Sequence, residues 1–409
     1  MVIQRITIVA NARPGGVHRL YYKCQSTSLP SITGRPLDWT IQTQERKFQL
    51  RWHLNPSQFR RDVRVNLARP FTVEKKPYNA ETTREVLLRR QITPNGSFYV
   101  RNHFSSPTID LKSWRLRVTG AVKTPLALSL NEITQMRDKT LVVTLECAGN
   151  GRARMQPLPP STPWLDGAIS TASWTGVPLK DLLERAEWEG NAAELLFRGA
   201  DMGVEGDREL SYERSLPLSE ALHEDVIVAY RMNEKPIPRI HGSPLRVIVP
   251  RWYGMASVKW LKEIRFLTEP FQGYYQKERY VYKDAREGHN AVDRIRVKSL
   301  ILQPAEGAIV RRGRSCSVRG LAWTGYGQIT KVEFKTHNSE WRQAELSENT
   351  NNSYAWRHWS IAWKPERLGR FALMSRAYDE TGARQPDEPV WNIHGYGYNT
   401  VTTRNVSVI

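Results

Sequence analysis

Between Pro77 and Val292 the apolar residues fall into short runs of two spacings. "SFYVRNHF" and "SWRLRVTGAV" alternate apolar and polar positions, as half-buried strands do. "LSLNEITQM" and "PLKDLLERA" instead carry the helical spacing and predict short helices. "KTLVVTLECAG" is a continuous β-branched run, which predicts a buried strand entering a loop. "EDVIVAYRMNEKPIP", "SPLRVIVP" and "SVKWLKEIRFL" continue the mixture, so this part reads as an α+β domain. After "NAVDRIRVKSLILQPAEGAIV" the helical spacing stops. "SCSVRGLAW", "ITKVEFKT", "AWRHWSIAW" and "RFALMSRAYD" then recur with turn residues between them, predicting an all-β sandwich of immunoglobulin-like type. The first 60 residues or so show no clear period. The expected organisation is a basic N-terminal extension over 1–70, disordered or a targeting segment, an α+β domain over 71–292 and an all-β domain over 293–409.

Composition agrees with folded domains. The 409 residues are 40% hydrophobic and 25% charged, with 14 Trp, 16 Tyr and 10 Phe, which excludes a disordered chain. No run approaches the ~20 apolar residues of a membrane helix, so a soluble protein without a membrane span is expected. Cys24, Cys147 and Cys316 lie too far apart for a disulfide framework or a CxxC knuckle.

The net charge of +19 is uneven, with 12 Lys/Arg against 3 Asp/Glu in Met1 to Pro70. Such a balance favours anionic partners. The basic residues form no dense run, and neither zinc-finger spacing nor an RNA-binding sheet signature is present, so nucleic acid is not expected and a small anionic substrate is. "RITIVANA" is too short for a secretory segment. An Arg-rich, acid-poor start fits a mitochondrial presequence or an upstream extension. "DWTIQTQERKFQLRWHLNPSQ" lacks a presequence-like amphipathic pattern, and the compartment, cytoplasmic or mitochondrial, stays open.

The chemistry concentrates around "LECAGNGRARM", where Cys147 ends an apolar run just before Arg152 and Arg154. Free cysteine is among the most buried residue types, so a structural thiol is one reading. Cationic neighbours that lower a thiol pKa make a nucleophile or a metal thiolate the others. A nucleophile would also need a base such as His103 or His241. Spacing alone leaves all three open.

The wider set of motifs resembles the sulfite oxidase family of molybdenum enzymes. "RNH" at Arg101 to His103, "CAGNGR" at Cys147 to Arg152, "HGSPLRVIVP" at His241 to Pro250, "SVKWL" at Ser257 to Leu261 and "WNIHGYGYN" at Trp391 to Asn399 occur in that family's order and approximate spacing. The resemblance runs from about Pro77 to the end. It implies a first domain that binds molybdopterin and a C-terminal domain that commonly makes a homodimer. By the family pattern Cys147 is the one protein thiolate to molybdenum. Tyr99, Val100, Arg101, Asn102, His103, Asp201, His241, Arg246, Ser257, Val258 and Lys259 match positions that hold the pterin and its phosphate. Arg101 and Arg152 match the anion-binding arginines, Tyr280 the tyrosine near the metal's oxygen ligand, and Trp164 the tryptophan walling the pocket.

Two departures stand out. "CAGNGR" has Gly151 where relatives usually carry a second arginine, and "WNIHG" has His394 where a substrate-binding arginine normally stands. Histidine, with an ordinary pKa near 6.5, is partly charged at neutral pH unless its surroundings move it. The expectation is weaker and more pH-dependent oxyanion affinity. What the resemblance implies overall is oxidation of sulfite to sulfate by oxygen-atom transfer, with electrons passing to an external acceptor such as a cytochrome, since no haem-binding motif is found. The alternatives are a sulfoxide or nitrate reductase, or an enzyme for another substrate, on the same fold and cofactor. From a different class comes a cofactor-free scaffold or binding protein.

Overall fold

The computed structural model describes residues 70–283, 290–348 and 353–409, with four strands nearer the N-terminus. Those strands form two antiparallel pairs, Thr7–Val9 with Tyr21–Lys23 and Leu37–Gln42 with Lys47–Trp52. They belong to a unit of their own, Met1–Val65. A targeting role for this stretch falls on residues outside those described.

The rest, Asn66–Ile409, is one compact unit. Its first part holds two five-stranded sheets and a two-stranded pair, Phe71–Lys75 with Tyr78–Glu81. In one, the order Lys235–Pro236, Ile227–Met232, Ile169–Pro178, Lys139–Glu146 is antiparallel throughout, and Arg246–Ile248 also pairs with Ile227–Met232. In the other, Arg208–Pro217, Glu194–Glu205 and Leu261–Leu267 run antiparallel, and Leu261–Leu267 lies parallel to Leu116–Gly120. The continuous run "KTLVVTLE" forms its strand as expected, and Val143 and Leu145 are completely buried. Both helical readings hold for short segments, Leu130–Thr134 and Leu179–Leu183. Ser129 and Glu132 close a reciprocal capping box on the first, which satisfies N–H groups a short helix leaves bare.

One expectation fails. "SFYVRNHF" is not a strand: only Val100 makes a bridge, to Ala80. The backbone instead threads past a cavity, with Asn102 pinned by its N–H to Asn79 Oδ1 at 2.7 Å and by Nδ2 to Tyr78 O at 3.1 Å.

The C-terminal part is built mostly of strands. Its two sheets run Lys298–Gln303, Cys316–Trp323, Arg357–Trp363, Glu345–Leu346 and Ala308–Val310, Thr403–Val408, Gly369–Asp379, Ile329–Thr336, Arg342–Gln343. Val318, Val332, Phe334 and Leu373 fill the core between them. A second set of its residues, including Leu300, Leu321, Trp323 and Tyr396, joins the core of the first part. That shared burial of apolar surface fixes one part against the other. Among the described residues no helix is long and apolar enough to cross a membrane.

Candidate active site

Cys147 comes directly after the strand Lys139–Glu146. Its N–H donates to Ala168 O at 2.9 Å, extending the ladder, and its C=O accepts from Asn150 N–H at 2.9 Å, closing a tight turn. Gly151 follows with φ +93°, and a Cβ there would meet Tyr398 Cδ1 at 2.5 Å and Lys298 Nζ at 3.2 Å. The left-handed backbone and the packed neighbours leave no room for a side chain at this position.

The thiol lines a cavity. Tyr99, Val100, Arg101, Asn102, His103 and Tyr280 share that lining with it. So do Asp201, His241, Arg246, Ser257 and Lys259. Burial pushes the Cys147 thiol up from its ordinary pKa, while Arg101 and Arg152 pull it back. Left alone it is a neutral thiol; a metal ion would deprotonate it. Among the described residues no three His, Cys, Asp or Glu side chains cluster around a metal-sized space. A metal on Cys147 would therefore need ligands supplied by another group.

The polar groups around the cavity are held from behind and open towards it. Arg246, 5% exposed, donates Nε to Ser257 O and Nη1 to His241 O, each at 3.2 Å. Burial lowers its pKa to about 10, which keeps it charged at neutral pH. Buried His241 faces Asn95 O through Nε2 at 3.0 Å. Burial lowers its pKa to about 3, so the neutral ring donates Nε2–H and leaves Nδ1 as an acceptor. Lys259 Nζ donates to Asn102 Oδ1 and lies 4.2 Å from the centre of the Trp260 ring. Asp201 is 4% exposed, and its Oδ1 has no partner among the described residues.

Next to the thiol, His103 Nε2 lies 2.8 Å from Tyr280 Oη, and Arg101 Nη2 lies 3.3 Å from His103 Nδ1. Burial, with Arg101, Arg279, Lys259 and Arg152 around it, holds His103 well below its ordinary pKa. Arginine can only donate, and Arg101 Nη2 reaches both ring nitrogens, Nε2 at 3.5 Å, while Glu205 Oε2 lies 3.9 Å from Nδ1. The neutral His103 ring and the Tyr280 hydroxyl are hydrogen-bonded to each other at the cavity edge.

Val258, Arg152, Trp164 and His394 are not among the lining residues. Val258 is buried and accepts from Val247 N–H at 2.9 Å. Trp164 is fully buried in the same apolar cluster as Cys147, Phe98 and Tyr99. Arg152 donates Nε to His394 O at 2.7 Å and Nη1 to Thr162 O at 2.8 Å. Its Cζ sits 5.3 Å from the centre of the Tyr396 ring.

His394 corrects an expectation. Burial first, then Arg279, Lys283 and Arg152, push its pKa down to about 4, so the ring is neutral at physiological pH and not partly charged. Its Nε2 is buried without a partner among the described residues.

Two domain families match this chain: an oxidoreductase molybdopterin binding domain over residues 103–275 and a Mo-co oxidoreductase dimerisation domain over 289–407. The sulfite oxidase of Gallus gallus is 34% identical over 344 residues, which cover 78% of this chain and 74% of that one. The chain belongs to the sulfite oxidase family. The mitochondrial sulfite oxidase of Mus musculus is 33% identical over 85% of this chain, and the match spans 66% of the mouse protein. A nitrate reductase of Hordeum vulgare is 32% identical over 78% of this chain and 40% of its own length. The sulfane dehydrogenase SoxCD of Paracoccus pantotrophus shares the fold, with a TM-score of 0.72 at 22% identity, covering 86% of this chain and 92% of that one.

The residues present fit the family's cofactor. The bare Asp201 Oδ1 is a buried acceptor that pterin N–H groups would satisfy, Arg246 offers a cation to a phosphate and Lys259, whose pKa burial holds well down, an N–H donor, and Cys147 offers one soft thiolate. Tyr396, Tyr212 and the buried Glu146 and Lys298 behind the Cys147 turn escaped the motif reading. Tyr396 had a signal, since it sits inside the "WNIHGYGYN" motif.

Proposed function

We propose that this chain is a molybdopterin-dependent oxidoreductase that oxidises sulfite to sulfate and passes two electrons to an external acceptor such as a cytochrome. The observation that carries this is the convergence of a lone buried thiol, Arg101, Tyr280 and a cradle of Asp201, Arg246 and Lys259 on one cavity. The reaction consumes one water and releases two protons and two electrons for each sulfite. When bound, the cofactor supplies the oxygen-atom transfer and accepts the electrons.

The protein supplies the rest. Cys147 is the protein's ligand to the metal. Tyr99 to His103, Asp201, His241, Arg246 and Ser257 to Lys259 hold the pterin and its phosphate. Arg101 fixes the oxyanion, and its charge does not vary with pH. Arg152, from behind, adds positive potential to the same site and anchors the His394 loop through the carbonyl it holds. Tyr280 presents its phenol to oxygen at the reacting centre, oriented by its hydrogen bond to His103. Trp164 walls the thiol off from water.

The same reading places a domain boundary near Val292. It takes the two C-terminal sheets as an immunoglobulin-like sandwich that joins two copies into a homodimer. Nitrate reduction is the second reading, favoured by the likeness to the barley protein and by the neutral His394 ring.

The test is purified, molybdenum-loaded protein assayed for sulfite-driven ferricyanide reduction and for nitrate turnover. About one molybdenum per chain, lost in Cys147→Ser, with sulfite turnover, is the expected result. Metal-loaded protein that turns over nitrate and leaves sulfite untouched would sink the sulfite reading.

A further inference from the structure

Arg214 lies in the strand Arg208–Pro217, where alternation puts Tyr212, Arg214 and Leu216 on one face. All three are buried, and Arg214 is 1% exposed. Its Nη1 donates to Tyr275 O. Its Nε and Nη2 have no partner among the described residues. Glu194 is the carboxylate that acts on it, through space and without an ion pair. A guanidinium with bare N–H groups in the interior is costly, and a well-packed apolar side chain serves purely structural ends better.

What the guanidinium faces is the site. Its Cζ lies 5.7 Å from the centre of the Tyr280 ring. The other side of the array is Tyr396, stacked on Tyr280 at 5.2 Å with 18° between planes, and Arg152 lies 5.3 Å from the Tyr396 centre. Two stacked tyrosines are thus flanked by two arginines in the order Arg214, Tyr280, Tyr396, Arg152. The two aromatic faces attract the cations, and Tyr280 Oη reaches the cavity edge at His103.

We propose that Arg214 is a further fixed cation of the anion site, a positioning residue that acts through Tyr280. Its charge is screened neither by water nor by a paired carboxylate, so it raises the positive potential where an oxyanion sits beside the Tyr280 hydroxyl. By its place over the ring it also fixes the plane of the phenol. With the His394 ring neutral, Arg214 adds to a cationic field that already includes Arg101, Arg152 and Arg279. The inference rests on the reading of the substrate as a small oxyanion.

The experiment compares molybdenum-loaded wild type with Arg214→Met, Arg214→Gln and Arg214→Lys. Sulfate binding is measured by calorimetry, unfolding temperature by calorimetric scan, and sulfite kinetics give KM and kcat separately. Met and Gln are expected to weaken sulfate binding and raise KM roughly tenfold, the scale of one poorly screened charge. Their unfolding temperature should hold or rise, and Lys should restore most of the affinity. Sulfate affinity unchanged in Met and Gln overturns the proposal. So does a pattern in which all three variants lose unfolding temperature and affinity together, because that marks a packing role. Wild type that turns over no sulfite and binds no sulfate defeats the oxyanion reading itself, a result separate from either.

Discussion

Lys298 reaches from the C-terminal strands to within 3.8 Å of Glu146, the residue immediately before Cys147, and both side chains are almost completely buried. Trp323 Nε1 and Asn150 Nδ2 donate to the same carboxylate at 2.8 and 2.9 Å. Lys298 Nζ also donates to Asn150 O at 3.3 Å. The two parts of the unit are therefore stapled at the turn that presents the thiol.

Removing one partner of this pair leaves the other charge stranded. Burial pushes Glu146 up and Lys298 down from their ordinary pKa values, and each is pulled back mainly by the other. Lys298→Met is expected to destabilise the protein by roughly 3–5 kcal/mol, the range for a broken buried pair. Denaturant unfolding checks this. The double variant Lys298→Met with Glu146→Gln should recover a large part of the loss. A single variant as stable as wild type would show that the pair contributes nothing.

Glu81 gives a pH-dependent case of the opposite sign to most carboxylates. Burial raises its pKa from 4.5 to about 7, against the pull of Leu165 N–H. The folded protein thus binds this proton more tightly than the unfolded chain does. The contribution is complete below pH 4.5, declines as pH rises, and is gone above about pH 7. Glu81→Gln should therefore gain stability relative to wild type between those limits, by roughly 3 kcal/mol at pH 8 compared with pH 4. Unfolding curves for both proteins at several pH values measure it; a difference that does not change with pH contradicts the assignment.

Gly151 supports a sharper steric test. At φ +93° a non-glycine residue is strained, and its Cβ would overlap Tyr398. Gly151→Ala is expected to cost about 2–4 kcal/mol from the backbone and the clash together. Because Gly151 directly follows the turn that holds Cys147, metal retention should fall as well. Molybdenum content after dialysis and thermal unfolding report the two effects. Gly151→Ala combined with Tyr398→Ala should relieve the clash but not the backbone strain.

Much of the fold was readable because strand and helix periods survive burial. "KTLVVTLE" and "ITKVEFKT" read as strands and are strands. "SFYVRNHF" misled because its alternation serves a cavity: Tyr99 to His103 line it on an irregular backbone. Sheet order was out of reach, since the parallel pairing of Leu261–Leu267 with Leu116–Gly120 joins segments far apart in the chain. Short, ordered motifs carried Cys147, Tyr99 to His103, Asp201, His241, Arg246, Ser257 and Lys259, which line one cavity. Arg214 belongs to none of the motifs, although period two puts it on the inward face beside Tyr212. His394 was expected to be partly charged and is neutral, because burial first, then Arg279, Lys283 and Arg152, hold its pKa down, and no local pattern joins those groups to it.

The charge on His394 sets the last prediction. With a pKa near 4, the ring stays neutral from about pH 5.5 to 9 and adds no titrating charge to the anion site. KM for sulfite should show no inflection from this residue across that range. His394→Arg should lower KM by a factor that is the same at each pH, since arginine is charged throughout. Stability carries the matching signature. The folded ring resists a proton that the unfolded chain accepts below about 6.5, so stability is complete above that pH and falls as pH drops towards 4. His241, held down to about 3, acts in the same direction over a wider range. His394→Gln should flatten part of that acid loss and leave the neutral-pH KM close to wild type. A KM for wild type that rises severalfold between pH 6 and 8, with the rise abolished in His394→Gln, would show that the ring does carry charge and binds the anion.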